Sequence, residues 1–187
     1  MAAMTRLRRQ AILRQATGYI ELGELLVDAA TPLPASARRV FERALEMLAE
    51  LPEPTRSLPH AKLLEGEALR ALGRWDEALV PLRTVTESEP DRIEAWLGLG
   101  WCLKRLGRLD DAIAELKRGI LAAPRQPILH YNLSCYLSLD GSVQAAIEHL
   151  TQAIAIDGRF RVLTEAEPDF DPIRTDPRFV AVTSVTV

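Results

Sequence analysis

The sequence predicts an all-α fold, a solenoid of antiparallel helix pairs. Three observations carry this. The 187 residues include 29 Leu and 25 Ala against 5% aromatics, so strong helix formers outnumber the residues that favour strands. The chain repeats itself every 34 residues. Glycine and proline punctuate that repeat at fixed places, as stops between helices. At 48% hydrophobic and 26% charged the chain has a foldable composition, and a net charge of -3 gives no overall bias toward polyanions.

The repeat is read by sliding the chain on itself. Glu89-Pro90, Ala123-Pro124 and Asp157-Gly158 align at a shift of 34. So do residues 71–74, 105–108 and 139–142, each with glycine third; Leu69, Leu103 and Leu137; Ala78, Ala112 and Ala146; and Leu82, Leu116 and Leu150. Three units follow, 59–92, 93–126 and 127–160, within a single domain spanning 1–187.

Each unit reads as helix, tight turn, helix. In 93–106 the apolar residues Trp96, Leu97, Leu99, Leu103 and Leu106 recur at three-and-four spacing. Gly107 ends that helix, since glycine takes positive φ at little cost. Asp110 and Asp111 open the next one, where negative charge meets the positive end of the helix dipole. Ala112, Ile113, Leu116 and Ile120 form its buried stripe, and Pro124 stops it. Gly100 and Ala112 are small where the two helices must approach closely. Pro81 is a local conflict: it falls inside the second helix of 59–92, where a late start or a bend is expected.

A degenerate pair precedes these units, over 1–58. Tyr19, Leu22, Gly23 and Leu26 fit a first helix, Ala44 and Leu48 a second. The connection is longer than in the other units by about nine residues, judged from the repeat period. It contains Thr31-Pro32-Leu33-Pro34, a loop signal, after which Ser36 is expected to cap the second helix. Leu51-Pro-Glu-Pro closes it. After Gly158 the pattern changes to a short helix and then Asp169-Phe-Asp-Pro-Ile-Arg-Thr-Asp-Pro-Arg-Phe, so 161–187 reads as a terminal cap. Phe170, Ile173 and Phe179 can plug the end of the core, and Asp176-Pro177 makes an N-cap and first-turn pair.

These residues resemble the tetratricopeptide repeat family. Unit 93–126 carries the family's loose signature as Trp96, Leu99, Gly100, Leu103, Ala112, Leu116, Gly119 and Pro124. Unit 59–92 supplies Gly66, Leu69, Ala78, Leu82 and Pro90 but has Lys62 and Glu65 at the first two places. Unit 127–160 supplies Leu133, Ser134, Leu137, Ala146, Leu150 and Ala153, with His130 first and Gly158 last. The ending around Asp169-Phe170 is similar to one found on many bacterial arrays of this family. The resemblance implies a right-handed superhelix whose first helices line a concave groove. It places His60, Leu63, Glu67 and Arg70 there, then Glu94, Leu97, Trp101 and Lys104, then Ile128, Tyr131, Cys135 and Ser138. Trp96 already fills the packing position, so Trp101 lies on another face of its helix. With Leu97 and Tyr131 it makes an apolar anchor, and Arg70, Lys104 and Arg105 stand by for acids. The competing reading is that Trp101 packs on a neighbouring unit or on the C-terminal segment. Some family members clamp two carboxylates with lysine, asparagine and arginine. Leu63, Glu67, Leu97, Trp101, Tyr131 and Cys135 do not match that clamp.

No phosphate-binding loop, nucleophile elbow or metalloprotease motif is present. Gly98-Leu-Gly100 lies in mid-helix with no preceding strand, so it is no dinucleotide fingerprint. His60, His130 and His149 are dispersed, and His130 occupies a packing position. Cys102 and Cys135 have neither disulfide-framework nor zinc spacing. The expectation is therefore a non-catalytic, cytoplasmic protein without cofactor or metal. It binds a protein or peptide in its groove and has no membrane span. Arg6, Arg8, Arg9 and Arg14 make a basic first helix that is read as a solvated face, with nucleic acid or anionic lipid as the competing partner and an organellar presequence as another reading. Mixed charge in the groove, Glu67 and Glu94 with Arg70 and Lys104, argues against RNA. Two alternatives stand beside the scaffold. One is a chaperone for secretion substrates, which Trp96-Leu-Gly-Leu-Gly-Trp-Cys resembles. The other is a self-assembling structural protein, a homo-oligomer joined through the first helix.

Overall fold

The computed structural model describes residues 4–27 and 32–184. It divides into two compact units, one ending at Glu89 and one beginning at Pro90. All regular structure among the described residues is helical.

The first unit holds α1 (Arg6–Leu25), α2 (Ala35–Ala49), a 3-10 turn (Thr55–Ser57), α3 (Pro59–Ala71) and α4 (Trp75–Ser88). Thr5 caps α1 by accepting from the Arg8 N–H at 3.3 Å. Ile12, Ala16, Ile20 and Gly23 form its buried stripe. Pro32, Leu33 and Pro34 are non-helical as expected, while Thr31 lies outside the described residues. Ser36 is not a cap: Pro34 takes that place, with no side-chain bond, and Ser36 is an exposed residue inside α2. Proline fixes its own φ near the value a helix entry needs, which sets the start without a hydroxyl. Ala37, Phe41, Ala44 and Leu48 bury the inner face of α2. Gly23 is what admits Phe41, because a Cβ there would stand 2.5 Å from Phe41 Cζ. Pro59 opens α3 at a first-turn position, where its missing N–H costs nothing. The late start expected for α4 does not occur. It begins at Trp75, with Asp76 and Glu77 in its first turn, and carries Pro81 as a buried residue.

The second unit holds α5 (Ile93–Arg105), α6 (Leu109–Ala122), α7 (Pro127–Leu139), α8 (Val143–Ile156), α9 (Phe160–Leu163), a 3-10 helix (Pro168–Ile173) and α10 (Pro177–Thr183). Leu99, Leu103, Leu116, Leu129, Leu133 and Leu150 are fully buried. Trp96 lies beneath Gly119, where a Cβ would come within 2.9 Å of Trp96 Cγ, and its Nε1–H donates to the Pro90 carbonyl at 2.9 Å. Gly100 approaches Leu116 closely, as its place in the repeat requires: a Cβ would sit 3.2 Å from Leu116 Cγ.

One turn recurs three times. Gly73, Gly107 and Gly141 all have positive φ, between 74° and 81°. After each, an N–H reaches back to a leucine carbonyl: Arg74 to Leu69 at 3.0 Å, Arg108 to Leu103 at 2.9 Å and Ser142 to Leu137 at 2.9 Å. The glycine N–H itself donates to Arg70, Lys104 or Ser138. This is the two-bond helix stop in which a left-handed residue satisfies the last carbonyls, and it folds the second helix back on the first.

Candidate functional site: the first-helix faces

In the second unit, α5 and α7 pack side by side as the first helices of consecutive pairs. Leu97, Trp101 and Lys104 are spaced to share one face of α5, and Ile128, Tyr131, Cys135 and Ser138 one face of α7. Glu94 is exposed, while Leu97, Trp101, Lys104 and Ile128 are half-buried. The Arg105 guanidinium carbon lies 5.7 Å from the centre of the Trp101 ring. Tyr131, Cys135 and Ser138 are buried.

What buries Tyr131 is the chain's own end. The segment from Phe160 to Ser184, here called the strap, lays its 3-10 helix along α7. The Tyr131 ring stands 5.2 Å from Phe160 and 5.7 Å, edge-on, from Phe170, and Phe170 in turn packs against Phe179 at 5.3 Å. Asp169 forms an ion pair with Lys104 across to α5. Lys104 Nζ also lies 5.3 Å from the centre of the Tyr136 ring. Burial pushes both the Tyr131 hydroxyl and the Cys135 thiol up, and the nearby Glu167 and Asp169 carboxylates push the same way. Phe170, Ile173 and Phe179 are buried as expected of a cap, and Asp176 accepts from the Arg178 N–H at 2.9 Å as an N-cap. The Arg178 guanidinium holds the Asp176 carboxyl at about 2. Two segments that the sequence presents separately, a groove and an end plug, thus meet on one face.

In the first unit, α1 and α3 pair in the same way. His60 is exposed and shares a shallow pocket with Gln10, Leu13, Arg14 and Thr17 of α1. Leu63 is buried, and Glu67 and Arg70 are half-buried. Arg70 reaches Glu24 at 3.9 Å. A second pocket lies among Leu45, Leu48, Ala61 and Leu69, rimmed by Arg56, Arg74, Glu65 and Glu77.

The buried His130 has a partner that sequence spacing did not reveal. Its Nδ1 lies 3.0 Å from His149 Nδ1, and its Nε2 lies 3.0 Å from the Pro124 carbonyl. The carbonyl accepts, so His130 Nε2 carries a proton, and in the neutral pair His149 Nδ1–H donates to His130. Burial lowers the His149 pKa, helped by His130 and by Lys117 and opposed by Glu148. Folding therefore favours the neutral ring. The stabilisation is fully present above the unfolded value near 6.5 and is lost as pH falls below it toward the lowered folded pKa. The urea midpoint should drop between pH 7.5 and 5, and His149→Gln should flatten that part of the drop. Equal pH dependence in wild type and variant would remove the histidine pair as its source.

Among the described residues no group of three or more His, Cys, Asp or Glu is placed to hold a metal ion, and both cysteines are buried and outside any disulfide. No described helix is long and apolar enough to cross a membrane.

Residues 69–133 match the family model of the tetratricopeptide repeat. No curated protein matches the sequence. Among solved structures, MamA 41-end from Desulfovibrio magneticus RS-1 is similar at 20% identity and a TM-score of 0.57, over 90% of this chain and 93% of that one. A MamA RS-1 double mutant is similar at 17% identity and a TM-score of 0.62, over 83% of this chain and 78% of that one. A further MamA crystal structure gives 17% and 0.60, over 90% and 92%. At these identities the likeness is one of fold. The repeat register, the three matching turns and the family model agree: residues 69–133 are tetratricopeptide repeat sequence, in a chain with the fold of helical-repeat solenoids.

Proposed function

We propose that the chain is a non-catalytic protein-binding scaffold, and that the face of α5 carrying Leu97 and Trp101 anchors a peptide or helix from its partner. The observation that supports this is the contrast between two tryptophans on one helix. Trp96 is almost fully buried and donates a hydrogen bond to the Pro90 carbonyl, while Trp101 and Leu97, spaced to share a face of α5, are only half-buried. A large ring on a rigid helix loses little entropy when it is covered, which is why such residues dominate interfaces. The Lys104–Asp169 pair supports the charge preference of this face, because its cation already accommodates a carboxylate.

The test is selection from a displayed random-peptide library on the full chain. Wild type should enrich a consensus, and Trp101→Ala should weaken the selected peptide by about tenfold to a hundredfold, the range of an interface hot spot. The melting temperature should stay nearly constant. A lowered melting temperature with unchanged affinity would instead make Trp101 a packing residue.

A further inference from the structure

The strap is built as a module that braces itself. Arg174 donates to the carbonyls of Thr164 at 3.0 Å and Glu167 at 2.8 Å, and Arg161 Nε donates to the Val182 carbonyl at 3.3 Å. Among the described residues, every backbone bond that the strap makes outside its helices ends within four positions in the chain. Among those residues no backbone–backbone bond ties it to α5 or α7. Its hold on the helix pairs is through side chains: Asp169 on Lys104, Arg178 on Gln144 at 2.6 Å, and the Phe160 and Phe170 rings on Tyr131. That is how a bound peptide engages a receptor, with one charge fixing register and one aromatic filling a seat.

We propose that the strap occupies a peptide-binding seat in cis, and that the same seat accepts in trans a partner segment of the same chemistry, an aspartate followed directly by phenylalanine in an acidic stretch. This rests on the reading of the chain as a protein-binding scaffold and names what one of its faces recognises. The chemistry is written in the strap itself. Lys104 supplies the cation for the aspartate, and Tyr131 supplies the ring for the phenylalanine. The flanking residues Glu165, Glu167 and Asp171 make the segment acidic. A competitor in trans meets a seat that is mostly filled, so its apparent affinity falls by the fraction of molecules whose strap is open. The device is both a recognition site and its own brake.

Cys135 reports on the state of the seat. It is 3% exposed, on the same face of α7 as Tyr131, with the Glu167 and Asp169 carboxylates of the strap acting on its thiol. Release of the strap uncovers it.

The experiment uses the full chain and a fluorescent peptide of residues 164–176, followed by anisotropy. Asp169→Lys places a like charge on Lys104 and raises the fraction of molecules whose strap is open, while Phe170 itself is left unchanged. This variant should bind the peptide at least about tenfold more tightly than wild type, because the open fraction rises. Its Cys135 should alkylate faster, mapped apart from Cys102 by mass spectrometry, and added peptide should restore protection. Lys104→Glu alone should open the strap too, since it faces Asp169 with a like charge; this variant should not bind the wild-type peptide and should bind one carrying lysine in place of Asp169. Phe170→Ala is a further opener. If that variant does not fold, the charge variants decide alone. A folded Asp169→Lys protein whose Cys135 reacts but which does not bind the peptide would overturn the proposal. So would one whose Cys135 stays protected. A dimer formed by exchange of straps, seen by light scattering, would assign the seat to a second copy and overturn it too. A Trp101-dependent consensus from the peptide library, with no binding of the strap peptide, would leave the scaffold standing and remove only this seat.

Discussion

Replacing Phe41 by alanine should destabilise the first unit by about 3–5 kcal/mol, the range for truncating a fully buried phenylalanine. Phe41 is 0% exposed, and the wall it faces is the backbone of Gly23, with Ala37 and Ala44 beside it on α2. None of these three has a side chain that could fill the space, so truncation leaves a cavity along this wall. Domains of this size are stable by only about 5–15 kcal/mol, so the loss should show as a large shift in the urea midpoint. The contact is reciprocal. Gly23→Ala alone puts a methyl 2.5 Å from the Phe41 ring, whereas in the Phe41→Ala background that methyl occupies vacated space. The double variant should therefore be more stable than the sum of the two single losses predicts, which a double-mutant cycle measures. A Phe41→Ala loss under about 1 kcal/mol would mean that α2 collapses onto α1 freely, and the account of Gly23 would fail.

Trp96→Ala should have an effect of the same order on the second unit, about 3–5 kcal/mol. The indole is 2% exposed, its ring fills the notch that Gly119 leaves, and Arg118 covers it at 5.4 Å. Truncation empties the notch and leaves the Pro90 carbonyl without its donor. Trp96→Phe should keep most of the packing and lose chiefly the hydrogen bond, for about 1–2 kcal/mol. Thermal unfolding of the two variants beside Trp101→Ala separates the roles. If Trp96→Ala and Trp101→Ala lowered the melting temperature equally, the division of labour between the tryptophans would be wrong.

Periodicity carried the fold because the forces it reports are local and repeated. Gly73, Gly107 and Gly141 share one backbone conformation since each closes the same turn. Leu82, Leu116 and Leu150 are all fully buried, and the first two each pack on the glycine of the first helix in their own pair. Departures from the repeat were harder to read. Phe41 meets Gly23 as Leu82 meets Gly66 and Leu116 meets Gly100, but the longer connection of the first pair puts it out of the 34-residue register, where Leu48 stood as the counterpart. Ser36 looks like a cap by type, but the proline two residues earlier had already set the helix start. His130 was legible as a packing residue, whereas His149, 19 positions on, meets it only through the folding back of α8 on α7. The candidate site was divided in the same way. Helical spacing collects Leu97, Trp101 and Lys104 on one side of α5. That Asp169, 65 residues later, should land on Lys104 depends on where a non-repeating tail turns, and no periodic signal records it.

The glycine turns carry a consequence for how such a chain can change. Each is completed by bonds that reach back no more than five residues, so a hairpin of helices closes without help from distant sequence. Contacts of this short range make for rapid folding and for energetics that depend on adjacent pairs only. A whole 34-residue hairpin could then be duplicated or deleted by recombination while the remaining hairpins keep their internal geometry, so long as the terminal tail still finds a last helix with an aromatic seat.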